Sequence, residues 1–244
     1  MKLSNKIKQS FSLKENNLLK IDSTAKFFIE IFDLEDLINI QNFTSTNKIN
    51  FCILGEGSNV VLPNLLNKAV IKISFNEISI EDNLITVGAG KNWDDFVLWS
   101  LENGYCGLEN LSGIPGSIGA APIQNIGAYG SEVSDFIDEV ICFDMESNSF
   151  VSFTNNDCKF SYRQSIFQYR DSLIVVKVKF KLTKDFQPNL EYEDLNFLKA
   201  EEITPFIIRK HVLKIRKAKI SDPQKHPNVG SFFKNPIISL DELE

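Results

Sequence analysis

The chain has 244 residues, 43% hydrophobic and 24% charged, which is the composition of a folded globular protein and excludes a disordered one. Its 26 Lys and Arg against 32 Asp and Glu give a net charge of -6, which argues against a general nucleic-acid binder. The apolar runs are too short to span a bilayer, and Met1–Asn17 lacks the apolar core of a secretory signal. The four cysteines form no C-x-x-C pair, so we expect no metal site and a cytoplasmic protein with reduced thiols.

Hydrophobic patterning predicts a mixture of strands and helices along the chain. The predicted strands cover residues 27–31, 49–54, 70–74, 78–80, 84–87, 140–145, 150–153 and 176–182. The strands 140–145 and 150–153 are expected to form a hairpin, and the apolar residues of 176–182 alternate with lysines, as in a half-buried strand. A first helix begins around Asp33, with Leu34, Leu37 and Ile38 on one apolar face. A second helix covers 93–101, with Trp93, Phe96, Val97 and Leu101 on its apolar face. A third is capped by Thr204 and runs to about residue 218.

The first candidate site is Gly55-Glu56-Gly57-Ser58-Asn59, which directly follows the predicted strand 49–54. Glycines let successive backbone N–H groups converge on an anion such as a pyrophosphate, and the Ser58 and Asn59 side chains add donors. The loop lacks the Lys-Ser/Thr pair of a Walker A loop and the spacing of the dinucleotide fingerprint. A plain turn between strands is the alternative.

The second candidate site is the segment from Gly107 to Gly130, which is rich in glycine and small apolar residues. Such a stretch makes few side-chain contacts and loses much conformational entropy on folding, unless something else fills the space beside it. A long loop without regular structure is usually functional. A flat cofactor pressed against the backbone is therefore favoured over an irregular structural loop.

The third candidate site is Tyr162-Arg163, which lies between the apolar residues Phe160 and Phe167. These anchors would hold the guanidinium in place, and a fixed arginine can bind a carboxylate or stabilise charge that develops on it. A surface salt bridge is the alternative.

The fourth candidate site is Gly230-Ser231, a turn that presents a hydroxyl beside the donors Lys234 and Asn235. Ser231 could act as a nucleophile or a proton donor, although two histidines and no G-x-S-x-G elbow disfavour a hydrolase triad. A polar turn is the alternative. The basic helix at 206–218 could attract a phosphorylated ligand, but for Arg209 and Lys210 we predict a solvated helix face.

Together these segments resemble the UDP-N-acetylenolpyruvoylglucosamine reductase (UDP-N-acetylmuramate dehydrogenase) family of flavoenzymes. GEGSN, PIQNIGAYG, YR-x-SIF and GSFFKNP occur in the family's order and are specific in combination, and LEYEDL resembles the subgroup with a tyrosine loop over the substrate. The resemblance implies an α+β fold: a two-lobed, PCMH-like FAD-binding unit (1–75 and 76–205) and a third, substrate-binding domain. Family chains continue past GSFFKNP to a late catalytic glutamate that no residue here matches, so we expect a C-terminally short member whose third domain (206–244) is incomplete.

The resemblance also implies residue roles. Arg163 would polarise the enolpyruvyl carboxylate of the substrate, and Ser231 would protonate the intermediate. The substrate-binding positions match Tyr162, Tyr192, Lys219 and Asn235. The FAD-binding positions match Gly55, Glu56, Gly57, Ser58, Asn59, Ile114, Pro115, Gly116, Gly119, Ala120, Ala121, Asn125, Gly127, Tyr129 and Val175.

The implied reaction is the NADPH- and FAD-dependent reduction of UDP-N-acetylglucosamine enolpyruvate to UDP-N-acetylmuramate, a step of peptidoglycan synthesis that serves cell wall biogenesis, cell shape and division. We expect a monomer that inserts into no membrane and binds no nucleic acid. One alternative is a non-catalytic FAD-binding remnant of the family. A flavoprotein oxidase on a related scaffold is the other, disfavoured because neither Gly55–Asn59 nor PIQNIGAYG contains a His or Cys for covalent flavin attachment.

Overall fold

The computed structural model describes residues 6–200, 202–223, 225–236 and 238, so the last residues of the predicted third domain lie outside the described residues. The helices are α1 (Glu35–Thr46), α2 (Trp93–Glu102) and α3 (Pro205–Lys219). The strands are β1 (Ile7–Ser12), β2 (Thr24–Ile31), β3 (Phe51–Ile53), β4 (Leu65–Ile73), β5 (Ile78–Glu81), β6 (Leu84–Gly88), β7 (Gly127–Ala128), β8 (Ser131–Glu132), β9 (Ile137–Asp144), β10 (Ser149–Thr154) and β11 (Leu173–Lys181). Within the described ranges, no helix has the length and apolarity of a membrane span.

The first sheet has the strand order β1-β2-β4-β3 and uses residues from the first third of the chain. β4 pairs in parallel with both β2 and β3, whereas β1 is antiparallel to β2. The sequence analysis missed β1 because its residues, IKQSFS, show little hydrophobic alternation. The parallel pairing with β4 fixes the position of β3, and the end of β3 leads directly into the Gly55–Asn59 loop.

Helix α1 begins near Asp33 as predicted, since the Asp33 carboxylate accepts the Asp36 N–H at 3.1 Å. The predicted apolar face of this helix is confirmed at Leu37 but is wrong at Leu34 and Ile38. Leu34 and Ile38 are 40% and 41% exposed, and the buried face carries Asp36, Leu37 and Ile40. An ion pair with Lys6 compensates the buried Asp36 carboxylate, which lets a charged residue occupy the inward position.

The second sheet is antiparallel, with the order β10-β9-β11-β6-β5. The predicted hairpin is confirmed as β9 and β10. On β11, Val176, Val178 and Phe180 are buried while the intervening lysines reach outward, which confirms the predicted alternation. This mixture of a partly parallel sheet, an antiparallel sheet and separate helices is the α+β fold that was expected.

Helix α2 packs beneath the second sheet and fixes the start of the glycine-rich segment. Trp93, Phe96 and Val97 are buried, as predicted. The helix is capped by Asn92, whose side chain accepts the Asp95 N–H at 3.0 Å. The Trp93 indole N–H donates to the Leu111 carbonyl at 2.9 Å, so a core residue holds the chain just before Gly113.

Helix α3 starts at Pro205 behind the predicted Thr204 cap. Its buried residues Ile208 and Val212 pack against Leu195 and Leu198 of the turn that follows Tyr192. This small cluster joins α3 to the segment that carries the tyrosine.

Candidate functional site

The loop Gly55–Asn59 lies directly against the glycine-rich segment. The Glu56 carboxylate accepts hydrogen bonds from the Asn92 side chain at 2.8 Å and from the Gly116 N–H at 3.1 Å. The Ser58 hydroxyl donates to the Pro115 carbonyl at 3.0 Å. Two segments that the sequence singled out separately therefore form one structure, and the loop does more than connect two strands.

Two glycines of this structure permit close approach that no other residue would allow. Gly57 has φ +63°, and a Cβ there would lie 2.2 Å from the Asn16 carbonyl oxygen. At Gly119, a Cβ would lie 2.8 Å from the Ala89 Cβ. The close packing beneath both loops leaves their other faces to border the space between the two sheets.

A cavity of about 340 Å³ opens in that space. It is lined by the end of β3, the turn at Ser117–Ala120 and the start of β11. Five of its lining residues are predicted or adjacent cofactor positions: Gly55, Ser117, Gly119, Ala120 and Val175. Three charged lining residues, Lys68, Arg170 and Asp171, were not predicted.

The residues of this region fit a flavin cofactor. The Asn59 amide nitrogen donates to the Gln124 side-chain oxygen at 3.1 Å, but the Asn59 side-chain oxygen is buried and, among the described residues, lacks a hydrogen-bond partner. A buried acceptor without a partner is costly, so it indicates a ligand that donates, such as a flavin's ribityl hydroxyl groups. The glycine backbone and the cavity provide the room that such a ligand needs.

Arg163 is held by backbone carbonyls and not by an acid. Its guanidinium donates to the Gly127 carbonyl at 2.5 Å and to the Asn125 carbonyl at 3.2 Å, and it lies 5.5 Å from the Tyr162 ring centroid. Among the described residues no ion pair to Arg163 is formed, so the surface salt bridge considered above is not what the structure contains. Its φ of +53° is unusual for a residue with a side chain.

Asn125 organises the turn beneath Arg163. Its amide nitrogen donates to Glu132 at 2.7 Å, and its side-chain oxygen accepts the Ser134 N–H at 3.0 Å. Asn125 is fully buried and also has a positive φ, +45°. These bonds fix the β7–β8 hairpin that presents Gly127 and Tyr129.

Tyr192 and Lys219 approach the same hairpin from the other side. The Tyr192 ring meets the Tyr129 ring edge to face at 5.3 Å between centroids. Lys219 forms an ion pair with Asp194, which raises the pKa of that lysine. The Asn110 side chain donates to the carbonyls of Tyr129 and Asn189 at 2.8 and 2.9 Å, tying the tyrosine segment to the glycine-rich one.

Ser231 and Asn235 are not brought into this cluster. Both are exposed, and the bonds of their segment run to the end of α3: the Asn228 side chain donates to the Ser221 carbonyl at 2.9 Å. Within the described ranges, no hydrogen bond links Ser231 to Arg163. Ile114 is half-buried and Ala121 is buried.

The solvated face predicted for Arg209 is wrong, whereas Lys210 is exposed as expected. Arg209 is 8% exposed and binds both carboxylate oxygens of Asp94, at 2.5 and 2.8 Å. Asp94 also accepts the Gly113 N–H at 2.6 Å. Although burial opposes ionisation, these bonds hold the pKa of Asp94 below its usual value.

Arg216 belongs to the basic helix that the sequence analysis considered for a phosphorylated ligand, but its burial was not predicted. It stands two helical turns after Arg209, on the face that buries Val212, and burial lowers its pKa. The seven-residue spacing of the two arginines around Val212 was the available signal, because residues so spaced share one side of a helix.

Comparison with known proteins agrees with this geometry. The FAD binding domain family matches residues 25–147. The UDP-N-acetylenolpyruvoylglucosamine reductase of Polynucleobacter asymbioticus is 42% identical over 98% of this chain and 72% of its own length. The protein of the same name from Bdellovibrio bacteriovorus is 40% identical over 96% of this chain and 72% of its own length.

Solved structures give the same fold. The crystal structure of UDP-N-acetylenolpyruvylglucosamine reductase from Thermus caldophilus superposes with a TM-score of 0.69 at 24% identity, over 93% of this chain and 74% of that one. A solvent-stable cholesterol oxidase superposes with a TM-score of 0.56 at 13% identity, over 73% of this chain and 38% of that one, a likeness of fold alone. On the sequence matches, this chain belongs to the UDP-N-acetylenolpyruvoylglucosamine reductase family.

Proposed function

We propose that this protein is an FAD-dependent oxidoreductase that uses NADPH to reduce UDP-N-acetylglucosamine enolpyruvate to UDP-N-acetylmuramate in peptidoglycan precursor synthesis. The observation that carries the proposal is the uncompensated Arg163 guanidinium, held by two backbone carbonyls of the glycine-rich segment, which lines the cavity at Ser117, Gly119 and Ala120. An arginine fixed in this way is suited to a carboxylate that gains charge during a reaction. The relatives that match over nearly the whole chain carry the corresponding name.

The cofactor site would be formed by Gly55–Asn59, the segment 114–129 and Val175. Bound FAD, once reduced by NADPH, would supply the hydride that is transferred to the carbon–carbon double bond of the substrate. The partnerless Asn59 oxygen and the N–H groups of the glycine loops would bind its polar parts. We further propose that residues 1–75 and 76–205 are the two lobes of this unit and that residues from 206 onward begin the substrate-binding domain.

On the substrate side, Arg163 would bind the enolpyruvyl carboxylate and stabilise the negative charge that develops when hydride reaches the β-carbon. Ser231 would deliver a proton to the α-carbon. A serine hydroxyl is a weak acid, so it needs nearby donors such as Lys234 and Asn235, and its segment must approach Arg163. Tyr162, Tyr192, Lys219 and Asn235 would bind the nucleotide sugar, in a cytoplasmic monomer.

The test is NADPH oxidation by the FAD-loaded chain, with and without UDP-N-acetylglucosamine enolpyruvate. We expect substrate-dependent oxidation, and we expect Arg163→Met to lower kcat by about 10²–10³-fold, as loss of a charge-stabilising group does. Lys159→Met is the matched control, because Lys159 is an exposed cation with φ +50° on the same segment. Bound FAD with no substrate-dependent oxidation would refute the reductase and support the non-catalytic alternative.

A further inference from the structure

The carboxylate of Asp94 lies where three elements of the structure meet. Asp94 is in the first turn of α2, and one of its oxygens accepts the Gly113 N–H at 2.6 Å. The same oxygen and its neighbour accept hydrogen bonds from the two terminal nitrogens of Arg209 on α3, at 2.5 and 2.8 Å. A single side chain of α2 therefore joins the glycine-rich segment to α3.

Helix α3 lies directly against the backbone at Gly113. A Cβ built on this glycine would lie 2.7 Å from the Leu213 Cδ2, so the leucine side chain packs on bare backbone there. On either side of Gly113, Trp93 fixes the segment: its indole N–H donates to the Leu111 carbonyl and its backbone N–H to the Gly116 carbonyl, both at 2.9 Å. The backbone that leads into the proposed flavin positions is thus held by α2 and covered by α3.

The ion pair constrains α3 relative to the glycine-rich segment. Arg209 is 8% exposed, and its planar fork meets both carboxylate oxygens, a geometry that is stronger and more directional than a single contact. If one partner moved away, a largely buried charge would lose its compensation. The segment and α3 are therefore expected to move together, because both are bonded to the same carboxylate.

We propose that Asp94 and Arg209 are positioning residues that couple occupancy of the flavin site to the docking of α3, the helix that ends at Lys219. The proposal rests on the proposed function, in which residues 114–129 bind FAD and Lys219 binds the nucleotide sugar. Coupling of this kind is reciprocal: FAD that orders the segment stabilises docked α3, and docked α3 strengthens FAD binding by the same factor. Loading of the cofactor then prepares the helix that carries a substrate residue.

The first experiment is a double-mutant cycle with FAD affinity as its readout. Asp94→Asn, Arg209→Gln and the double variant are titrated with FAD by fluorescence, at a temperature where circular dichroism shows each chain folded. We expect each single variant to bind FAD about tenfold more weakly, and the double variant to bind no more weakly than either, because the two residues act as one unit. Asp95→Asn and Lys210→Gln are the matched controls: each removes the exposed charge next to one member of the pair and should leave the affinity unchanged.

Two results of this cycle overturn the proposal. Wild-type FAD affinity in the folded variants would show that the pair only stabilises the fold. A loss of about a hundredfold in the double variant would show two independent effects. Arg209→Lys keeps the charge but loses the fork; it replaces Arg209→Gln if the latter does not fold, and we expect it to weaken FAD binding by a smaller factor.

The second experiment measures hydrogen exchange of the α3 amides with and without saturating FAD. In the wild type, we expect FAD to slow exchange within residues 208–216 about tenfold more than within α1, which is the reference for general stabilisation. In Asp94→Asn this excess should be lost. A merely structural role would speed exchange of α3 equally with and without FAD, and an excess that survives in the variant would overturn the coupling.

The two experiments separate this proposal from the proposed function. A wild-type chain that binds no FAD refutes both. A wild-type chain that binds FAD and reduces the substrate, with variants of Asp94 and Arg209 that keep its FAD affinity and its FAD-dependent protection of α3, refutes the coupling alone.

Discussion

Gly57→Ala tests whether the Gly55–Asn59 loop depends on contact with the turn at Asn16–Asn17. An alanine Cβ would lie 2.2 Å from the Asn16 carbonyl oxygen and 2.7 Å from the Asn17 Cα, and both atoms are backbone. The left-handed φ adds about 1–2 kcal/mol of strain, and forced overpacking adds about 1–3 kcal/mol. We therefore expect a loss near 3–4 kcal/mol, which lowers Tm by about 10 °C in a domain of this size.

Gly104→Ala is the matched control. Gly104 also has a left-handed φ, +77°, but no heavy atom lies within 4 Å of the Cβ that would be added. It should lose only the strain, about 1–2 kcal/mol or about 5 °C. The difference between the two variants isolates the contact with Asn16.

The assay is thermal unfolding of each variant with and without excess FAD, followed by a fluorescence titration of FAD. Displacement of the loop should weaken FAD about tenfold in Gly57→Ala, a loss of about 1.4 kcal/mol, and leave its affinity unchanged in Gly104→Ala. Since ligand binding stabilises the folded state by mass action, FAD should protect the control more than Gly57→Ala. Equal losses of stability, with equal FAD affinities, would refute the reasoning.

Three further predictions follow from buried groups. Burial raises the pKa of Glu109 above its unfolded value near 4.3, so the folded protein loses stability as pH rises above that value and the carboxyl group ionises. In urea unfolding, Glu109→Gln should therefore be more stable than wild type at pH 7.5 but not at pH 4. The exposed control, Glu102→Gln, should be as stable as wild type at both pH values. Burial raises the pKa of both Cys52 and Cys158, that of Cys158 to about 12, but Cys52 lines the cavity and is only half-buried whereas Cys158 is buried. Iodoacetamide should therefore label Cys52 before Cys158 in the native protein, and FAD should slow that labelling, as measured by peptide mass spectrometry. Trp93→Phe removes the bond to the Leu111 carbonyl and should cost about 2–4 kcal/mol of unfolding free energy; a loss under about 1 kcal/mol would show that this bond does not anchor the segment.

Local patterns predicted the elements well because each pattern reports on its own residues. The alternation of β11, the apolar face of α2 and the Thr204 cap are all properties of a few neighbouring side chains. The predicted face of α1 was wrong at Leu34 and Ile38 because the helix buries Asp36 instead, and that burial depends on Lys6, thirty residues away. The pairing of Arg209 with Asp94 spans 115 residues, and no local pattern encodes it.

For the candidate site too, local residue types could be predicted from the sequence, whereas long-range contacts could not. The sequence identified four segments by their residue types, and three of them meet through hydrogen bonds in the structure. What it could not predict is which groups become each other's partners. Glu56 was predicted as part of an anion-binding loop, yet its carboxylate serves to join that loop to Asn92 and Gly116. Because the Glu56 carboxylate itself would repel a pyrophosphate, we expect the loop to bind one through its backbone N–H groups.

Three residues with a strained, left-handed backbone lie beside the proposed flavin site. Asn125, Tyr129 and Arg163 all have φ between +45° and +53°, and hydrogen bonds connect their segments. Such conformations cost about 1–3 kcal/mol each and persist only where surrounding bonds determine them. Here the partners are specific: Ser134 holds Asn125, Asn110 holds Tyr129, and the carbonyls of Asn125 and Gly127 hold the Arg163 side chain. The guanidinium is therefore restrained before any ligand binds. Binding of a carboxylate then does not carry the entropy cost of ordering a free arginine, which is the advantage of a preorganised site.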